Sequence, residues 1–309
     1  MKKDISFILT SYRASQLVVN AVSDLVDLSK DYHTEILVSS DKFIDFGQEK
    51  PVATECMPMS GFAVNKEGMP KILTEEFSIT GPPIDFRNVE LKQYLNKDCS
   101  GEGLGTFPES SVRCFNFLAN QATSDWVVVA VDDHRLMGDL AGLLETLESD
   151  RNPFKDKKYK IGTLGNYPGG EEVICPGTRR WNEELGEHSD TFVCRWPIFH
   201  KSVLKEFGGV LFNQSFYHHY CDNWISYWVH MNGEIIPVLL DLVMEDRKHL
   251  VNENNPGYDD VMFRTLVETM GDSNIDYNTH IKEPIPLTKM PYSFQPGGRL
   301  IQSPFGLKT

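Results

Sequence analysis

A chain of 309 residues, 40% hydrophobic and 24% charged, has the makeup of a folded globular protein of one large domain or two modest ones. Its net charge of −14 argues against a protein that coats nucleic acid or an anionic membrane, and leaves room for a local basic pocket. No apolar run approaches the roughly 20 residues of a membrane helix. The N-terminus shows no signal-peptide pattern, and the six cysteines form no C-x-x-C pair, so reduced thiols and a cytoplasmic setting are expected.

Residues 5–9 form a short apolar run and predict a first strand, followed by the polar turn Thr10-Ser11-Tyr12-Arg13. Apolar residues from Leu17 to Leu28 recur at helical spacing and predict an amphipathic helix over 14–29. The run Glu35-Ile36-Leu37-Val38 predicts a second strand, closed by Ser39-Ser40-Asp41. Strand, helix and strand at this spacing make a βαβ unit with parallel strands. Polar residues then stand on one edge of the sheet. Asp41 is placed there to accept hydrogen bonds from a base or ribose, or to act only as a turn residue.

Residues 49–80 read as irregular with one or two strands, and 89–95 as a helix. The glycine-rich stretch 101–106 precedes a helix over 110–121 with Ser110 or Ser111 as N-cap. Arg113 falls in its first turns, where the helix dipole disfavours a cation. An anionic partner or simple exposure would each account for it. The β-branched run Trp126–Val131 predicts a strand buried on both faces, and it stops at Asp132-Asp133-His134. Ligands gather at the carboxyl ends of such strands, and two carboxylates with an imidazole can hold a divalent metal and, through it, a phosphate. The plain alternative is a polar strand end leading towards a helix over 140–147.

Residues 151–160 form a basic, proline-containing linker. A strand over 159–164, a Gly/Pro-rich loop over 165–186 carrying Trp181, and a strand over 191–200 follow. A short helix over 201–207 is stopped by Gly208-Gly209. Residues 212–220 are rich in aromatic rings and include His218 and His219. A helix over 222–231 buries Trp224 and Trp228, and a strand over 235–240 follows. A weak helix over 261–270 and a Pro/Gly-rich tail over 284–309 complete the chain.

The order of these pieces resembles GT-A fold glycosyltransferases, especially the family 2 type. In that family a first strand and turn, a helix and a second strand ending in Asp come first. A loop with Gly, a helix with Arg and a buried strand ending in an Asp-x-Asp motif come next. Gly105, Arg113, Asn116 and Asp132-Asp133-His134 stand in that order here, followed by Gly208-Gly209 and by Cys221-Asp222 opening a helix that ends at Gly233. The resemblance covers roughly residues 4–249. It departs from the family where His134 replaces the third carboxylate, or, one register on, where Val131 replaces the first. Cys221-Asp222 also stands in place of Glu-Asp.

The resemblance implies an α/β fold of GT-A type. It has a Rossmann-like, mostly parallel central sheet flanked by helices, with a C-terminal acceptor-side portion and an extended tail. Residues 1–150 would be the nucleotide-sugar-binding half, 151–260 the acceptor-binding and catalytic half, and 261–309 a C-terminal helix and tail. It implies a metal-dependent, inverting transfer of a sugar from a nucleotide diphosphate to an acceptor hydroxyl. Thr10, Tyr12, Arg13, Asp41, Arg113, Asp132 and Asp133 would bind the donor, a UDP-sugar ahead of a GDP-sugar. Asp133, His134 and His249 would hold Mn²⁺ or Mg²⁺, Asp222 would be the general base, and Trp181, His218 and His219 would line the acceptor side. A sugar-phosphate nucleotidyltransferase and a non-catalytic nucleotide- or carbohydrate-binding module on the same fold are the alternatives. The first is disfavoured because Thr10–Arg13 is short and lacks glycine.

Overall fold

Strand β1 (Ile5–Thr10) sends Ile5, Phe7 and Leu9 into one hydrophobic cluster and Ile8 into another on the opposite face. This period-2 split places the strand in the middle layer of three. The chain then runs through α1 (Gln16–Ser29), β2 (Thr34–Ser40), the hairpin strands β3 (Val52–Thr54) and β4 (Glu75–Phe77), β5 (Val89–Leu95), α2 (Asn96–Ser100) and α3 (Ser111–Gln121). Next come β6 (Trp126–Val131), β7 (His134–Gly138), α4 (Leu140–Glu148), β8 (Ile161–Tyr167), β9 (Arg180–Asn182), β10 (Glu187–Ser189), β11 (Pro197–His200) and α5 (Ser202–Glu206). Last are α6 (Cys221–Met231), β12 (Val238–Asp246), α7 (Gly257–Asp272), β13 (Phe294–Gln295) and β14 (Arg299–Leu300). The computed structural model describes residues 3–11, 16–44, 46, 52–54, 75–77, 84–100, 110–167, 180–182, 187–189, 194–246, 257–272, 275–281, 294–295 and 299–300.

Eight strands form the central sheet in the order β5-β2-β1-β6-β11-β8-β12-β7. The pairs β5–β2, β2–β1, β1–β6 and β8–β12 are parallel, and β11 and β7 run against their neighbours. Apolar side chains of α1 and α4 cover one face. Those of α3, α5, α6 and α7 cover the other, with Trp224 and Trp228 in that core. The expected α/β fold, a mostly parallel sheet between helices, is what the chain adopts.

Most expected elements fall within a few residues of the observed ones. The exception is the helix expected over 89–95, which is the edge strand β5. Its Leu91 and Leu95 share a helical spacing, but β2 offers a full parallel partner from Thr34 to Ser40. An edge strand tolerates the charged Glu90 and Lys92 that a central strand would reject. Gln93 also ties it to the segment just after β2, accepting from Ile44 N–H at 2.8 Å and donating to Ile44 O at 2.8 Å. Most of the glycine-rich 101–106 stretch, the 165–186 loop and the 284–309 tail lie outside the described residues.

Candidate functional site

Four parallel strands end side by side, and their register brings separated residues together. Thr10 aligns with both Ser39 and Val131, and Ser40 aligns with Leu95. The next residue on each strand is therefore Ser11, Asp41, Asn96 or Asp132, all at one carboxyl edge. The Ser11 hydroxyl donates to Asp132 Oδ2 at 2.6 Å. Asn96 Nδ2 donates to Ser11 O at 2.6 Å and to Asp41 Oδ1 at 2.9 Å. Asn96 is buried and Asp41 exposed, so the network has a fixed floor and an open carboxylate above it. Ser11 and Asn96 were not picked out as site residues in the sequence. Ser11 is one position of the polar turn Thr10–Arg13, and Asn96 stands just beyond the 89–95 run that reads as a helix.

Asp132 and Asp133 differ in environment. Burial pushes the Asp132 carboxyl up to about 6, with the Ser11 hydroxyl opposing and the adjacent Asp133 charge adding to the rise. Asp133 keeps 55% of its side chain in solvent. Protein crowding pushes its pKa up, but the hydrogen bond and charge of His134 outweigh this and hold it below the ordinary carboxylate value. His134 opens β7 with a buried ring, its Nδ1 2.7 Å from Asp133 Oδ1 and its centroid 4.5 Å from that of Trp196. The imidazole thus grips Asp133 through one nitrogen, while its buried Nε2 has no hydrogen-bond partner among the described residues.

Asp222 stands in the first turn of α6, half-buried. Burial raises its pKa, against the pull of Asn223 N–H, Arg195 and His219. The helix starts from Tyr220 in the left-handed region, φ 61°, a conformation that costs a non-glycine residue about 1 kcal/mol. The residues just before it are fixed by Asp259 of α7, whose carboxylate accepts from the N–H groups of Tyr217, His218 and His219 at 2.8, 2.9 and 2.7 Å. His218 Nδ1 lies 2.7 Å from Ser111 Oγ. The residue is exposed as a whole, but desolvation and then the adjacent His219 push its pKa down. Asp259 and Arg195 are further residues that sequence reasoning missed, since each acts from an element distant in the chain.

Thr10 ends β1, half-buried at the same edge. Arg113, also half-buried, lies in the first turn of α3, its N–H 3.4 Å from the capping Ser110 Oγ. Trp181 is at the centre of β9, opposite His188. Tyr12, Arg13 and His249 lie outside the described residues. Asp246, at the end of β12, pairs in register with His134. Among the described residues no group of three His, Cys, Asp or Glu side chains is set to hold a metal ion. Asp133 nevertheless offers a solvent-facing carboxylate, and divalent cations of the Mg²⁺ kind are commonly held by one or two carboxylates plus substrate phosphates.

Fold and site together define an α/β protein with a carboxylate-lined edge at the ends of its parallel strands. The chain matches no family model and no curated protein sequence. Among solved structures it is similar to residues 1–349 of S. aureus TarS in complex with UDP-GlcNAc, at 13% identity and a TM-score of 0.48, covering 90% of this chain and 68% of that one. Against the longer TarS structure the match spans 41% of that chain. It is also similar to glucosyl-3-phosphoglycerate synthase from Mycobacterium tuberculosis in complex with Mn²⁺, UDP-glucose and phosphoglyceric acid, at 11% identity and a TM-score of 0.42, covering 87% and 79%. At these values the likeness assigns neither substrate nor residue roles.

Proposed function

We propose that the protein is a GT-A type glycosyltransferase, inverting, that moves a sugar from a UDP-sugar to an acceptor hydroxyl. The observation that carries this reading is the linked edge Asp41–Asn96–Ser11–Asp132, with Asp133 next to it in the chain and the charge of Arg195 acting on both Asp133 and Asp222. In this reading Asp41 accepts from the base or ribose, held in place by Asn96. Thr10, Tyr12, Arg13 and Asp132 line the nucleotide, and Arg113 faces it from α3. Asp133 and His249 hold a divalent cation, with His134 orienting Asp133 through the 2.7 Å contact. Mn²⁺ or Mg²⁺, when bound, supplies neutralising charge to the departing diphosphate.

Asp222 takes the proton of the acceptor hydroxyl. The acceptor oxygen bonds to the anomeric carbon, and the carbon–oxygen bond to the diphosphate breaks with its electron pair on the phosphate oxygen. A single displacement inverts the anomeric centre. Burial raises the pKa of Asp222, which suits a base working near neutral pH. His218, His219 and Trp181 line the acceptor side.

The test pairs UDP binding by calorimetry with UDP release from a panel of UDP- and GDP-sugars in Mn²⁺. The wild type should bind UDP and turn over at least one donor. Asp222→Asn should bind UDP as tightly and lose about 10²- to 10⁴-fold in turnover. A wild type that binds no nucleotide and turns over no donor overturns the reading.

A further inference from the structure

We propose that Arg195 supplies the protein's own cation to the diphosphate of the donor, between Asp133 and Asp222. This rests on the transferase reading but is carried by separate contacts. Strand β11 runs antiparallel to β6, with Ile198 opposite Val128, so the residues before β11 approach the carboxyl end of β6. Arg195 is among them, and each of its neighbours is fixed to one side of the site. On one side, Cys194 N–H donates to Ser226 Oγ at 2.7 Å, and that hydroxyl donates to Asp222 O at 2.9 Å. On the other, the Trp196 ring lies against His134, which holds Asp133 at 2.7 Å. Trp196 itself is buried and anchored, its N–H on Thr163 Oγ1 at 3.3 Å and its carbonyl accepting from Leu164 N–H at 2.9 Å.

The guanidinium of Arg195 lies 4.8 Å from the centroid of the Trp196 ring, a rigid platform for a planar cation. The side chain is exposed, and among the described residues it makes no ion pair at contact distance. Its charge acts on both Asp133 and Asp222. A planar fork of N–H donors above a site with two acidic residues suits a phosphate group, which it can take in bidentate fashion. On a chain of net charge −14, a fixed local cation counters the repulsion that a diphosphate otherwise meets. Charge at the departing oxygens grows during transfer, so a donor placed there stabilises the transition state more than the ground state.

The experiment measures binding of UDP, uridine and inorganic pyrophosphate to the full chain, wild type and Arg195→Gln, with Arg195→Lys as the intermediate case. Arg195→Gln should weaken UDP and pyrophosphate about ten- to a hundredfold and leave uridine unchanged. Arg195→Lys should lose less, because it keeps the charge and loses the fork. Added guanidinium should restore part of the pyrophosphate affinity to Arg195→Gln, which a general loss of folding would not permit. Equal pyrophosphate and UDP affinities in wild type and Arg195→Gln, or no pyrophosphate binding by the wild type, overturn the inference. So does an equal loss for uridine. A wild type that binds pyrophosphate through Arg195 but no nucleotide overturns the transferase reading and leaves the anion site standing.

Discussion

At the scale of single residues, the site turns on a neutral amide between charged neighbours. Asn96 presents one N–H₂ group to Ser11 O at 2.6 Å and to Asp41 Oδ1 at 2.9 Å. Its carbonyl oxygens accept weakly from the Cys114 thiol at 3.9 and 3.6 Å. An acid at this position keeps the size and removes the donors. Asn96→Asp should therefore set a second carboxylate against Asp41, and repulsion should push one of the two towards its protonated form. The expected result is UDP binding weakened about tenfold or more, with a modest fall in melting temperature. Calorimetry at neutral pH reads it directly. Unchanged UDP affinity in a folded Asn96→Asp protein would remove Asp41 and Asn96 from the nucleotide site.

At the scale of elements, what could be read from the sequence followed hydrophobic period. Trp126–Val131 and its abrupt end at Asp132 were legible because an apolar run stops at a charge. The helix Ser111–Gln121 was legible from a serine cap at 110 or 111, and the structure makes that cap Ser110. Strand β5 was not, because its charged residues are tolerated only at a sheet edge, and edge position is a property of the whole sheet. Misreading β5 also hid Asn96, which reaches the site only through the parallel register with β2. Asp259 was hidden for a similar reason. It lies some forty residues beyond the histidine loop in sequence and touches it only because α7 packs on α6.

The Asp259 clamp has a measurable consequence. Three N–H groups converge on one carboxylate, and the loop they belong to leads through left-handed Tyr220 into Asp222. Asp259→Asn keeps the shape but turns an amide N–H₂ towards N–H donors, so at least one bond is lost. It should cost about 1–3 kcal/mol of stability. More tellingly, it should lower kcat for sugar transfer while UDP affinity stays unchanged, since the Asp41 edge belongs to other elements. An equal loss in kcat and in UDP affinity would show general loosening instead of misplacement of Asp222.

At the scale of the molecule, the two cores meet across a sheet that carries a buried charge far from the site edge. Glu35, near the start of β2, is fully buried. It accepts from Lys92 Nζ of β5 at 2.5 Å, from Ser6 Oγ of β1 at 2.7 Å and from Thr123 N–H, just before β6, at 2.8 Å. One carboxylate therefore ties together the four parallel strands whose opposite ends form the site. Burial alone would raise its pKa, but the Lys92, Thr123 and Ser6 contacts together outweigh it and hold the pKa below its ordinary 4.5.

The direction of the pH effect follows from that depression. The unfolded chain takes up a proton on Glu35 at higher pH than the folded one does. The stabilisation is thus present above pH 4.5 and is lost as pH falls through the folded pKa. Glu35→Gln keeps an acceptor for Ser6 and Thr123 but leaves Lys92, which is 30% exposed, with only the longer 3.4 Å contact to Glu90. Urea unfolding should find the wild type more stable than Glu35→Gln by about 1–3 kcal/mol near neutral pH. The difference should narrow as pH drops below 4.5. UDP affinity at neutral pH should be the same in both, because the charge acts at the amino end of the strands and the nucleotide edge at the other. A stability difference that stays constant into acid would mean that hydrogen-bond geometry holds this end of the sheet, and that the charge on Glu35 contributes nothing.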